Sequence, residues 1–170
     1  MKKIFLLTLL SVIAISLQAK DDVYAFISDP SGTPTNIRNA PNGKIVKTLK
    51  DDSGGFVVTL ISAKNGWWKI DSEVEFWGDN EYEITLKGSS TGYWVHHSVL
   101  SFTIAGDPTN AIHARPSKTS KVIPIPDSTE VRFRPLDRKG KWLKVVSTDG
   151  RVTGWLHSDQ ICYNPLTTCP

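Results

Sequence analysis

The chain has 170 residues, with 20 Lys and Arg against 17 Asp and Glu and a formal net charge of +3. That length holds one ordinary domain or two small ones. Ten Pro, twelve Gly and six Trp, a single Met, and no stretch with amphipathic helical spacing over three turns exclude a helical protein and favour β structure.

The chain opens with Lys2 and Lys3, then an apolar run over 4–17 and a small residue, Ala19, ahead of polar sequence. This is the layout of a secretory signal peptide over 1–19, with an apolar part too short for a comfortable span. No other apolar stretch approaches membrane length. The expected mature protein is exported, soluble, and periplasmic or extracellular, with no membrane span. Its halves differ in charge: 20–105 holds eight basic and eleven acidic residues, a balance of −3, and 106–170 holds ten and six, a balance of +4. Opposite signs fit docking of the halves on each other, a different partner for each half, or a solvated imbalance with no role.

Within 35–157 the chain repeats itself. Ile37-Arg38 and Pro41 correspond to Ile112-His113 and Pro116, and Trp67-Trp68-Lys69-Ile70 to Trp142-Leu143-Lys144-Val145, both at an offset of 75 (37 to 112, 67 to 142). Trp94-Val95-His96 corresponds to Trp155-Leu156-His157 at an offset of 61, so the first copy carries fourteen more residues (75 less 61) between its second and third blocks. These fall within 71–90 and read as an acidic hairpin. Val74, Phe76, Tyr82, Ile84 and Leu86 share one face, and Glu73, Glu75, Glu81 and Glu83 the other, around a turn at Gly78-Asp79-Asn80.

In the second copy the same place holds a tight Asp149-Gly150 turn between two strands. That turn pairs Trp142 with His157, Lys144 with Trp155, and Leu143 with Leu156. Side chains alternate along a strand, so the aliphatic residues form one face and Trp142, Lys144, Trp155 and His157 the other. By the repeat, Trp67, Lys69, Trp94 and His96 take the outward places in the first copy, and Trp68 takes the core place of Leu143. Residues 101–110, with Gly106, Asp107 and Pro108, read as a short linker.

The opening block, the Gly66-Trp67-Trp68-Lys69-Ile70 and Trp142-Leu143-Lys144-Val145 strands, and Gly154-Trp155-Leu156-His157 together resemble the bacterial SH3 domain family. The resemblance covers nearly all of the expected mature chain in two copies. It implies two tandem SH3-like small barrels, 20–105 and 106–170, and attachment to cell-wall or cell-surface ligands. Two departures are His113 where the family commonly has Arg, and Tyr93 in place of the glycine before Trp94. No hydrolase domain accompanies the repeat.

Cys162 and Cys169 are the two cysteines. In an oxidising compartment, seven positions apart, they read as a local disulfide that staples the tail. Both follow every histidine, and no helix is evident to hold a thiol nucleophile. His96, His97, His113 and His157 form no close-spaced pair on one face, and no Gly-rich phosphate loop is present. An enzyme, a metal site and a cofactor are therefore not expected. The basic run over 132–141 interleaves with an aromatic, but export argues against nucleic acid as partner. Aromatic recognition remains: broad apolar rings with polar handles suit sugar rings or extended peptides. The candidate ligand residues are Trp67, Lys69, Trp94, His96 and Arg38, their repeats Trp142, Lys144, Trp155 and His157, and Trp77, Tyr82, Tyr93 and Arg115. The expected partner is a cell-wall or envelope polymer or peptide, with an envelope protein as the alternative.

Overall fold

The computed structural model describes residues 22–32, 34–50, 54–105, 110–125 and 131–163. The segment expected to be a signal peptide and Cys169, and with it the expected disulfide pairing, lie outside them. Among the described residues the fold is all-β, with helical backbone confined to two 3₁₀ turns at His97–Val99 and Ser158–Gln160.

Eight strands form the first sheet: β1 (Val23–Ile27), β2 (Thr35–Arg38), β3 (Ile45–Leu49), β4 (Gly54–Lys64), β5 (Trp67–Gly78), β6 (Tyr82–Thr85), β7 (Tyr93–His96) and β8 (Leu100–Ser101). Their order is β3-β2-β7-β5-β4-β1-β8, with β6 added on β5. β9 (Thr103–Ile104) follows, then β10 (Ile112–His113), β11 (Val122–Ile123), β12 (Phe133–Lys139), β13 (Trp142–Ser147), β14 (Thr153–His157) and β15 (Ile161–Cys162). The second sheet runs β11-β10-β14-β13-β12, and β15 pairs with β9.

The pairing repeats strand for strand. β2 lies between β3 and β7 as β10 lies between β11 and β14, and β5 lies between β7 and β4 as β13 lies between β14 and β12. β8 closes on β1 as β15 closes on β9. Even the β1–β4 pairing has a vestige, the Phe102–Phe133 bridge. The stretch read as a linker is thus paired as far as Ile104.

Hairpin chemistry fixes the shared register. Between β4 and β5, Asn65 and Gly66 both have positive φ, 51° and 80°. Such a two-residue turn matches the right-handed twist of the strands it joins. Gly140, with φ of 60°, opens the equivalent turn between β12 and β13. The β13–β14 connection is longer than the expected two-residue turn. Gly150 N–H donates to Ser147 O, and the Asp149 carboxylate accepts from Ser147 Oγ and Arg151 N–H. The pairing survives unchanged: Trp142 faces His157, Leu143 faces Leu156, and Lys144 faces Trp155.

The acidic insertion does not project as a separate hairpin. Its first half continues β5 to Gly78, and β4 is long enough to pair with it as far as Gly54. Val74 and Phe76 are buried and Tyr82 stacks on Phe76, their ring centroids 4.6 Å apart. Burying those side chains holds the insertion on the core, at roughly 1.5–3 kcal/mol per large apolar side chain.

One continuous core joins the two repeats, running from Val23, Ile37 and Leu60 to Ile112, Leu143 and Leu156. Trp68, fully buried, reaches across: its indole N–H donates to the Pro135 carbonyl at 2.8 Å. The halves therefore pack on each other through apolar contact and a buried hydrogen bond.

Candidate functional site

Direct cross-strand neighbours place their side chains on one face of a sheet. In the first repeat Lys69 pairs with Trp94, Trp94 with Arg38, and Arg38 with Ile45. In the second, Lys144 pairs with Trp155, Trp155 with His113, and His113 with Val122. Each repeat thus carries one row across four strands: a lysine, a tryptophan, an arginine or histidine, and a β-branched aliphatic. Arg38 is half-buried, whereas His113 is buried beneath its neighbours, so the second row is open only at Lys144, Trp155 and Val122. Beside each row stands a second pair, Trp67 with His96 and Trp142 with His157.

Trp67, Trp94, Trp142 and Trp155 are all partly exposed. The row ends, Ile45 at 49% and Val122 at 52% exposure, rank with Tyr82 as the most exposed large hydrophobic side chains among the described residues. Three strand spacings give each row a length of about 14 Å. That suits a pair of sugar rings or a short extended peptide.

Local contacts hold these side chains in place. Arg38 donates to Gly43 O at 2.7 Å and lies over Trp67, 5.9 Å from the ring centroid to the guanidinium carbon. The Lys69 stem lies against Gly92, whose φ of 106° and missing Cβ leave it room. Trp142 is flanked edge-on by His113 and His157, at 5.3 and 5.1 Å.

The two repeats differ in their imidazoles. Ser98 N–H donates to His96 Nδ1 at 3.3 Å, so neutral His96 carries its proton on Nε2 and offers a donor there. His157 Nδ1 instead donates to the Asp159 carboxylate, so neutral His157 offers an acceptor at Nε2. Burial holds His96 below the usual imidazole range. Burial also lowers His97, helped by the neighbouring His96 and by Arg134 from the other repeat.

Not every candidate joins these rows. Tyr93 is buried, and its hydroxyl donates to Leu86 O at 2.9 Å. It shares the core face with Val95, so the expected surface place beside Trp94 is corrected to an interior one. Trp77 and Tyr82 lie on the insertion, where Trp77 Nε1–H donates to Glu75. Arg115 is exposed in the β10–β11 connection, beyond the row.

Ile45, Val122 and the row position of His113 are absent from the sequence candidates. A signal for the first two was present: Lys44-Ile45-Val46 matches Lys121-Val122-Ile123 at an offset of 77. A β10–β11 connection of eight residues, two more than the six between β2 and β3, takes this block out of the 75-residue register. The sequence also gave no sign of a cleft of about 400 Å³ lined by Phe26, Asp29, Pro34, Thr35, Leu49 and Phe56. Burial opposes charge on Asp29, but hydrogen bonds from Ser31 and Thr35 outweigh it and hold the carboxyl below its usual range.

Among the described residues no group of three His, Cys, Asp or Glu is placed to hold a metal ion. None of their helices is long and apolar enough to cross a membrane. No family model and no curated protein matches the chain. Among solved structures, it is similar to NlpC2 from Trichomonas vaginalis (14% identity, 86% of this chain and 50% of that one, TM-score 0.30). It is also similar to NlpC1 from the same organism (15% identity, 94% and 51%, TM-score 0.31). The chain spans about half the length of these structures.

Proposed function

We propose that the protein is a non-catalytic, exported binding module of the cell envelope. In this reading two SH3-like units of the bacterial type recognise peptidoglycan fragments or another surface polymer or peptide. One observation carries it: a lysine–tryptophan–aliphatic row, completed by Arg38 in the first repeat and by the buried His113 in the second, recurs in the same register on both repeats, with its apolar ends in solvent. A core needs neither an exposed isoleucine nor a half-exposed tryptophan set between a lysine and an arginine, as Trp94 is. A ligand with a flat apolar face and polar or anionic edges uses both, stacking on the ring and bonding to the flanking nitrogens.

Co-sedimentation with purified peptidoglycan tests the proposal. The wild-type chain should pellet, and the Trp94→Ala/Trp155→Ala double variant should bind at least about tenfold more weakly, a loss of about 1.4 kcal/mol. Retention of full binding by a folded double variant would contradict the assignment, and release of soluble fragments would contradict the absence of catalysis. The alternative, an adaptor for an envelope protein, draws on the acidic insertion.

A further inference from the structure

The edge of β6 carries an inference that deepens the adaptor reading and is independent of the tryptophan rows. Among the described residues β6 pairs with β5 alone. Its register on β5 is regular, with Glu73 opposite Thr85, Val74 opposite Ile84, Glu75 opposite Glu83 and Phe76 opposite Tyr82. Leu86 N–H donates to Ser72 O, which sets the alternation. Leu86, Ile84 and Tyr82 turn their backbone groups toward β5, so Glu83 and Thr85 turn theirs away from it. Tyr82, Glu83 and Thr85 are exposed.

Sheet edges are ordinarily blunted by shortness, charge, proline or a bulge. β6 is four residues long and has no lysine, proline or bulge, so its protection is its acidic charge, which a basic strand would neutralise. It carries a like-charge pair. Glu75 and Glu83 stand directly opposite in a pair without mutual backbone bonds, where side chains approach most closely and like charges destabilise. Glu73 and Glu81 extend the negative charge along the hairpin. On the other face Tyr82, half exposed, and Ile84 leave apolar surface open.

We propose that β6 accepts an added antiparallel strand from a polypeptide with Lys or Arg at alternate positions and apolar residues between them. A lysine opposite Glu83 neutralises the Glu75–Glu83 pair and exchanges both backbone bonds with Glu83, while the apolar residues cover Tyr82 and Ile84. A second copy of this chain paired through the same edge in the register that sets Glu83 opposite Glu83 would add a further like-charge pair, which a basic strand avoids. The chain's own basic run does not serve, since β12 is paired with β13 and bridged to Phe102.

The test uses the full chain and three labelled forms of Ac-Lys-Val-Lys-Thr-Lys-Val-Lys-amide, read by fluorescence anisotropy at low salt. The forms are unmodified, N-methylated at the three inner residues Val, Thr and Val, and N-methylated at the lysines. Lysine N–H groups face Glu83 in the proposed ladder, so the first two forms should bind alike and the third at least tenfold more weakly. Glu75→Gln/Glu83→Gln should weaken the first two by a similar factor and leave peptidoglycan co-sedimentation unchanged. Equal binding of all three forms would overturn the strand-addition claim, as would no binding of any. Loss of peptidoglycan binding in wild type, with this peptide pattern intact, would fail the wall-binding reading and not this one.

Discussion

Single residues carry the pH response of this fold. His96 and His97 are both held below the ordinary imidazole range, chiefly by burial, and His97 Nδ1 is buried without a hydrogen-bond partner. An unfolded chain exposes both rings at their normal value near 6.5, so it binds protons more readily than the folded chain. The stabilisation is complete above that value and declines as pH falls through it toward the lower folded values. Asp29 and Asp149 act in the same direction, but in the separate acid range below their normal 3.8. Urea midpoints should therefore be lower at pH 5.5 than at pH 7.5, and His97→Phe should lessen the difference. A midpoint that rises on acidification would contradict the assignment.

At the level of strands, one departure in the repeat has a physical cause visible only in the packing. Where the second copy has Gly154, a Cβ would lie 2.4 Å from the Ile112 side chain and 2.8 Å from the His113 carbonyl. The first copy places Tyr93 there, and its hydroxyl bonds to Leu86 O, at the exit of the insertion. The fourteen extra residues and the glycine-to-tyrosine exchange are thus one structural change, since the insertion supplies the acceptor that a buried tyrosine needs. Tyr93→Phe keeps the ring and leaves that carbonyl buried and unpaired. It should lower unfolding stability by about 1–3 kcal/mol, measured by urea titration against wild type. An unchanged midpoint would show that the bond contributes nothing.

For the molecule as a whole, alternation and turn chemistry made the sheets legible. Given two short strands around Asp149-Gly150, parity alone fixed which of Trp142, Leu143, Lys144 and Val145 face inward, and Leu143 and Val145 are fully buried. Other features were not legible, because they depend on contacts between segments distant in sequence. Trp68 was readable as a core residue, but its size is explained only by the Pro135 carbonyl 67 positions away. Tyr93 read as a surface aromatic because no local pattern shows that Leu86 lies within reach. Ile45 and Val122 escaped because a loop two residues longer in the second copy broke the offset.

The central claim is that both repeats present the same aromatic row to one kind of ligand, and the indole N–H signals of the tryptophans report on it individually. In a titration of the ¹⁵N-labelled chain with soluble peptidoglycan fragments, the Trp94 and Trp155 signals should shift together. The signal of Trp68, bound to Pro135 in the core, should stay fixed. No shift at millimolar ligand, or a response confined to Trp68, would contradict the account.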